Sequence, residues 1–307
     1  MKCVVVGGGG FLGGAIVDCL VGKGDEVVSL DRTWSPKKDW VVNVQGDILD
    51  KDRLIEVFEG AEEVYNVAGM LGTSELNGDI QQATMVNVVG ACNVFEAAIK
   101  TGVARVFYPG KPNVWLNTYS ITKQASEDFA QLYHDKYDTD FIRLRWFNAY
   151  GPGQHTHPIR KIVPTFCLLA RFGLPINIFG SGTNIVDMMH SRDIGKLSVE
   201  ATRNNLSDTV YELGRGVPVT VLKVADDINK IAENDAGLSF TDMREGETEN
   251  TVLVADVKPL INNLAMKGVR HYEFEDWMDT LVETYEYYCT IPEEEAKEAL
   301  RFHGFSV

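Results

Sequence analysis

The chain has no near-continuous run of about 20 apolar residues, the length that a membrane-spanning helix needs. A helical membrane protein is therefore excluded. Positive charge is in short supply: 29 Lys and Arg stand against 44 Asp and Glu, a formal net charge of −15. Such a surface does not coat nucleic-acid phosphates, whose binding relies on clustered Lys and Arg. A small anionic ligand held by local arginines stays open. Cysteines are few, and Cys3, Cys19, Cys92, Cys167 and Cys289 are odd in number, far apart and set among apolar neighbours. That pattern fits buried reduced thiols, and neither a disulfide framework nor a metal site. His155 and His157 in GQHTHP have an i,i+2 spacing but no carboxylate or cysteine companions, so no metal is expected. The first segment, KCVVVGGGG, has no charged region and cleavage site ahead of it, and the expected location is cytoplasmic.

What is present is an alternation. Short apolar runs at 2–7, 26–31, 63–68, 104–108 and 140–145 read as buried strands. Between them, 12–22, 51–59, 79–101 and 119–137 read as helices. Buried strands alternating with amphipathic helices predict an α/β fold, a doubly wound parallel sheet covered on both faces. After Gly151 the pattern loosens into GPGQHTHP, a helix around 162–172 and many short segments. The expected division is a dinucleotide-binding Rossmann domain over 1–150 and a smaller C-terminal α/β substrate domain over 151–307, with 185–203 either in the second or returning to the first as strand and helix.

The strongest local signal is VVVGGGGFLGG. Gly7, Gly10 and Gly13 form G-x-x-G-x-x-G between a strand and a helix, where absent side chains let the backbone approach a pyrophosphate at the helix N-terminus. The next strand ends at Asp31, 18 positions after Gly13, where a carboxylate can accept hydrogen bonds from ribose hydroxyls. Asp31 favours NAD over NADP because it repels a 2′-phosphate. Arg32, Lys37 and Lys38 lie close enough to soften that preference, or form a solvated basic loop.

The residues GGGGFLGG, Asp47-Ile48, Asn66-Val67-Ala68-Gly69, NVVGACNVFEAA, Tyr119-x-x-x-Lys123 and RWFNAYGPGQ occur in the order seen in extended short-chain dehydrogenases/reductases. The chain resembles their nucleotide-sugar epimerase/dehydratase branch, in the manner of UDP-glucose 4-epimerases, over almost its whole length. FGSGTNIVDMMHSRDI, YELGRG and MREGETENTVLVAD are similar to later family segments. The resemblance implies NAD as cofactor, with Phe11 and Leu12 joining the glycines and Arg32 beside Asp31. It implies that Asp47 and Ile48 hold the adenine, that Val67, Ala68 and Gly69 flank the cofactor, and that Asn87 faces the active site from its helix.

Tyr119 and Lys123 are i and i+4 on a helix and share a face. A tyrosine of pKa ~10 beside a lysine and an oxidised nicotinamide is expected to shift toward phenolate and to serve as acid and base. The resemblance also predicts a serine or threonine on the preceding strand end, and Lys111 stands there instead. No serine or threonine lies between Arg105 and Asn117. The connection of Pro112 to Thr118 is also shorter than the family pattern. Three readings stay open. Thr118, Ser120 or Thr122 supplies the hydroxyl; Lys111 itself acts as donor or acid; or the protein binds cofactor and ligand without turnover, or Lys111 simply points into solvent.

On the substrate side the resemblance implies Asn148, Val163 and Phe179 as nucleotide-sugar contacts and Arg244 as a diphosphate ligand, suited by its planar fork of donors. Val186 occupies the place of a second such arginine, with Arg192 or Arg215 as alternatives. The helices at 79–101 and 119–137 imply a homodimer, through a stripe of Val94, Phe95 and Ile99 or of Phe129, Leu132 and Tyr133 that is alternatively ordinary core. The expected activity is NAD-dependent epimerisation of a nucleotide-activated sugar. Dehydration is disfavoured, because PGKPNVW lacks the Asp-Glu pair that eliminating water requires. The alternatives are a sugar or ketone reductase or dehydrogenase, and a catalytically silent NAD-binding regulatory or scaffold protein.

Overall fold

The computed structural model describes residues 1–33, 40–112, 115–269 and 272–307, so Lys37 and Lys38 lie outside the described residues. The chain opens with β1 (Lys2–Val6), α1 (Phe11–Gly22), β2 (Glu26–Asp31), β3 (Val41–Gln45), α2 (Lys51–Phe58) and β4 (Glu63–Asn66). It continues with α3 (Ile80–Thr84), α4 (Ala91–Lys100), β5 (Arg105–Gly110), α5 (Thr118–Lys136), β6 (Asp140–Trp146), β7 (Asn148–Tyr150), α6 (Ile162–Arg171) and β8 (Ile176–Phe179). Then follow β9 (Ile185–Val186), β10 (Met188–His190), α7 (Ser191–Arg203), β11 (Val210–Leu213), β12 (Val219–Thr220), α8 (Val221–Ile231) and β13 (Leu238–Thr241). Helices α9 (Lys258–Met266), α10 (Trp277–Thr290) and α11 (Glu293–Phe302) complete the order.

Two compact units result. The first comprises Met1–Phe147, Ser191–Leu213 and Asp256–Tyr272; the second comprises Asn148–His190, Gly214–Ala255 and Glu273–Val307. The stretch 151–307 is thus not one continuous domain. Helix α7 returns to the first unit, as the alternative for 185–203 allowed, but it brings β11 and α9 with it, while β9 and β10 stay in the second.

The first unit is built on a parallel seven-stranded sheet in the order β11-β6-β5-β4-β1-β2-β3. Strand β1 (KCVVV) is buried from Cys3 to Val6, as a strand covered on both faces must be. Val4, Val6, Leu30, Val64 and Val106 pack with Phe58, Phe95 and Phe141 in one core. Val94 and Phe95 belong to that core, which removes them from any subunit stripe. The expected helix at 79–101 is broken into α3 and α4 by a π-helical turn over Met85–Gly90. Helix α2 starts where the Asp50 carboxylate accepts the Arg53 N–H at 3.0 Å, and α5 starts where Asn117 Oδ1 accepts the Ser120 N–H at 2.8 Å.

In the second unit, α6 is apolar all round and is its central element, packed by α8, α10, α11 and β8. Asp187, between β9 and β10, is fully buried and accepts three backbone N–H groups: Arg215 at 2.9 Å, Gly216 at 2.9 Å and Ala255 at 3.1 Å. Its backbone carbonyl accepts the Asn148 N–H at 3.2 Å. Burial lifts the pKa of this carboxyl while the three donors oppose the lift. Free thiols are spread unevenly: Cys3 and Cys167 are buried, Cys19 and Cys92 half-buried, and Cys289 is exposed, unlike the expectation for all five. Among the described residues no helix is long and apolar enough to cross a membrane.

Asp187→Ala strands three buried donors and is expected to cost about 3 kcal/mol or more of unfolding free energy, since each unsatisfied buried group costs about 1–3 kcal/mol. Asp187→Asn, which keeps one acceptor oxygen, should cost less. Urea unfolding of the two variants measures this, and equal stability of Asp187→Ala and wild type would refute it.

Candidate active site

The sheet reverses its direction of growth at β1, whose neighbours are β2 on one side and β4 on the other. Ligands in open α/β sheets bind outside the carboxyl ends of the strands at such a reversal. Here the chain leaves β1 through Gly7 at φ +84°, a left-handed conformation that favours glycine. A Cβ on Gly7 would lie 2.8 Å from the Ala68 backbone N, and a Cβ on Gly13 only 2.0 Å from the Gly7 carbonyl O. The turn therefore closes only without side chains. Gly10 caps α1 with no side-chain acceptor, so the first N–H groups of α1 lack an intrahelical partner, the arrangement that receives a pyrophosphate.

Asp31 stands at the end of β2. Its Oδ2 accepts the Gly9 N–H at 3.1 Å and its Oδ1 the Thr33 N–H at 3.3 Å, which fixes the carboxylate beside the glycine turn. Arg32 is exposed. Asp47 Oδ1 accepts the Leu49 N–H at 2.9 Å, so one of its oxygens shapes the turn into α2. Ile48 is buried against Gly90, where a Cβ would come within 2.5 Å of it. The Val67 N–H continues the ladder to the Val6 carbonyl at 2.9 Å, and Gly69 is exposed. These residues fit a dinucleotide: a cradle that any Cβ would fill, an uncapped helix end and an anchored acidic acceptor.

Asn87 is expected to face the active site from its helix. It lies in the π-helical turn, 3% exposed, with Oδ1 accepting the Met70 N–H at 2.7 Å and Nδ2 donating to the Met70 carbonyl at 2.9 Å and to Thr122 Oγ1 at 3.1 Å. These bonds tie the segment after β4 to α5.

Helix α5 carries the tyrosine and lysine of the Tyr-x-x-x-Lys spacing. Tyr119 is half-buried and Lys123 buried, its Nζ 4.0 Å from the centroid of the Tyr108 ring. One further turn along lies Glu127, which the sequence reading missed although YxxxKxxxE shows it on the same face. It is buried and accepts three hydrogen bonds from Arg145, at 2.6, 3.1 and 3.2 Å. Its attraction supports the charge on Lys123, but burial outweighs it, and Lys111 adds repulsion, so the ammonium falls to about 7. Gly110 allows this carboxylate in: a Cβ there would be 2.1 Å from Glu127 Oε2.

The missing hydroxyl can now be placed. Thr118 Oγ1 donates to Asn77 Oδ1 at 3.1 Å. Thr122 Oγ1 is shared between the carbonyls of Thr118 and Tyr119 at 2.9 and 3.1 Å and also accepts from Asn87. Both are occupied. Ser120 Oγ, by contrast, accepts from Lys111 Nζ at 2.6 Å, and the same Nζ lies 5.6 Å from the Tyr119 ring centroid. Lys111 thus turns toward the tyrosine and away from solvent. Burial drives the Lys111 ammonium down to about 8 and the Tyr119 phenol up to about 12. Desolvation alone sets the direction for the phenol here; the expected shift toward phenolate is that of a tyrosine beside an oxidised nicotinamide as well as a lysine.

In the second unit, Phe179 at the end of β8 carries the Arg160 guanidinium 4.3 Å from its ring centroid and that of Arg244 at 5.7 Å. Arg160, in the loop before α6, was not singled out from sequence. Val163 is 1% exposed in the α6 core and has almost no surface to offer a ligand, a correction to its expected contact role. Val186 is buried too. Asn148, in β7, is half-buried.

A family model described as the NAD dependent epimerase/dehydratase family matches residues 3–214. The chain belongs to that family. As a family member it uses NAD, and solved structures of this fold include NAD complexes. It is 24% identical to the low-salt glycan biosynthesis protein Agl12 of Haloferax volcanii, over 93% of this chain and 98% of that protein. It is 28% identical to a UDP-glucose 4-epimerase of Mycolicibacterium smegmatis, over 71% of this chain and 78% of the relative. The structure of a UDP-glucose 4-epimerase from Thermotoga maritima superposes with a TM-score of 0.84 at 22% identity, covering 94% and 99% of the two chains. In this epimerase/dehydratase family member, then, the glycine turn at the end of β1 stands beside a cluster of Tyr119, Lys123 and Lys111.

The lysine shift has a thermodynamic consequence. Below pH 8 Lys111 is charged in both folded and unfolded chains, and its burial penalty is present in full. Between about 8 and 10.5 the unfolded chain keeps a proton that the folded chain has lost, so unfolding free energy rises with pH. Lys111→Met should flatten that rise. Denaturant titrations from pH 7 to 10.5 on both proteins would contradict this if their slopes coincided.

Proposed function

We propose that the protein is an NAD-dependent epimerase of a nucleotide-activated sugar, working through a transient keto-sugar. The observation that carries this reading is the cluster at the start of α5: Tyr119, Lys123 and, hydrogen-bonded to Ser120, Lys111. NAD, when bound, supplies a reversible hydride acceptor and, in its oxidised form, a positive charge. Tyr119 takes the proton of the sugar hydroxyl as the ketone forms and returns it when the carbon is reduced from its other face. A phenol near pKa 12 needs added positive charge to act as the base, and the Lys111 ammonium, with two N–H donors beyond the one given to Ser120, provides it at the sugar oxygen. Lys123 orients the tyrosine and the ribose. Phe179 and Asn148 contact the nucleotide-sugar, and Arg244 binds its diphosphate.

Nucleoside diphosphate sugars carrying UDP, GDP, dTDP or CDP test the reading directly. The expected result is that one of them is epimerised with NAD retained through purification, and that Tyr119→Phe lowers kcat by about 100-fold or more, the scale of a lost general acid-base. Net consumption of NADH would instead identify a reductase. Retained NAD with no turnover on any sugar would leave an NAD-binding protein without activity.

The same reading includes a homodimer. Ile121, Phe129 and Leu132 lie exposed along α5, and Ile80, Met85 and Val89 are exposed on the segment from α3 to the π-helical turn. Covering these apolar groups by a second copy is favourable. Light scattering should give twice the chain mass for the wild type and a monomer that still holds NAD for Phe129→Glu combined with Leu132→Glu. A monomeric wild type would end this part of the proposal.

A further inference from the structure

Lys111 carries a positive charge that the protein leaves unmatched. It is half-buried just past the end of β5, and its Nζ donates to the neutral Ser120 Oγ at 2.6 Å. Among the described residues no carboxylate pairs with it. Lys123 is a second desolvated ammonium, buried against the Tyr108 ring and near enough for the two charges to repel. Glu127 enters the cluster because Gly110 has no side chain, yet it accepts its three hydrogen bonds from Arg145. Its attraction reaches Lys123, whereas nothing opposes the desolvation of Lys111. The first turn of α5, which holds Ser120, has no acidic residue either, and the positive end of the helix dipole lies there.

A desolvated ammonium without a counter-ion is costly, so this corner favours a ligand that brings the negative charge with it. The charge has to sit close to the reacting oxygen, because the Lys111 Nζ is only 5.6 Å from the Tyr119 ring centroid. On a sugar ring, a carboxylate on the carbon next to the reacting one meets that requirement, since its oxygens and the reacting hydroxyl are carried by neighbouring ring carbons. The ammonium has three N–H donors: Ser120 Oγ takes one, which leaves one for the reacting oxygen and one for the carboxylate. We infer that the activated sugar is a uronic acid whose ring carboxylate pairs with Lys111. The inference rests on the nucleotide-sugar reading for the carrier of that carboxylate and deepens it by naming the class of sugar. It makes Lys111 a specificity-determining residue.

Calorimetric titration of the NAD-loaded full chain with matched pairs of ligands tests it: UDP-glucuronate against UDP-glucose, UDP-galacturonate against UDP-galactose, and GDP-mannuronate against GDP-mannose. Wild type, Lys111→Met and Lys111→Arg are compared, with Lys111→Gln in place of Lys111→Met should that variant not fold. The quantity read is the ratio of the two Kd values within a pair. For wild type, the carboxylated member of at least one pair is expected to bind about 10- to 100-fold more tightly, the range of a charge-assisted hydrogen bond. Lys111→Met should remove the preference, and Lys111→Arg, which keeps the charge on a different geometry, should retain part of it. A merely structural role would weaken both members of a pair alike and leave their ratio unchanged, so an unchanged ratio in Lys111→Met overturns the inference. Equal or weaker binding of the carboxylated member in every pair does the same. A preference that depends on Lys111 without turnover of any nucleotide sugar sinks the epimerase and supports the uronic acid. Turnover of neutral sugars with no preference for a carboxylate sinks the uronic acid alone, and failure of every nucleotide sugar to bind overturns both readings.

Discussion

The Gly7 carbonyl occupies the space that a side chain on residue 13 would need, at 2.0 Å from its Cβ position, and the rest of the first unit is arranged around that contact. Because the turn is this tight, α1 starts directly at the end of β1 and its uncapped N–H groups face the place where β2 and β4 part. Asp31 is drawn to the same point by its bond to the Gly9 N–H. A backbone held so closely gives a fixed array of donors with no entropy to lose on binding, and donors at a helix N-terminus favour a negatively charged ligand. The α5 cluster is proposed to act beside the position this array defines.

The second constraint is desolvation. Burying Tyr119, Lys111 and Lys123 together disfavours every charged form at once, raising the phenol to about 12 and lowering the ammonium groups to about 8 and 7. Each group thus approaches neutrality, and the charge that one would lend another is reduced. Glu127 limits this effect for Lys123, yet Arg145 holds three of its hydrogen bonds and competes for the same carboxylate. The ionisation of the cluster is consequently sensitive to any added charge, and an oxidised cofactor would tilt it toward phenolate.

Much of this was legible in the sequence because it follows from local pattern. Continuous apolar runs between amphipathic helices identify the parallel strands, and the glycine spacing with a following Asp31 identifies the cofactor end. Strand β3 escaped detection because VVNVQ lies at the sheet edge, half exposed, with no continuous apolar run to betray it. Strand β11 pairs with β6 across a long sequence separation that no periodicity reports. Asn87 was assigned to the site from its place in a motif, whereas its bonds to Met70 depend on a π-helical turn that leaves no mark in the apolar spacing. Arg160 was invisible for a different reason. It meets Phe179 in space, on the ring that Arg244, 84 positions further on, also approaches, and no local pattern reports that.

On the proposed reading, a lysine at position 111 in place of a hydroxyl changes more than charge. A serine or threonine hydroxyl both donates and accepts, and so can relay a proton between sugar and tyrosine; an ammonium only donates. Ser120 restores part of that balance, since its oxygen accepts from Lys111 at 2.6 Å while its own hydrogen is left to donate. On the proposed reading the pair would replace one relaying group by two linked groups, one stabilising negative charge on a sugar oxygen and the other able to pass a hydrogen bond onward. An ammonium favours the alkoxide-like state formed as the hydroxyl proton leaves, which is the oxidative half of an epimerisation, and it loses that advantage once it deprotonates near pH 8. The proposed epimerisation would thus run within a narrower pH range than a neutral hydroxyl would allow.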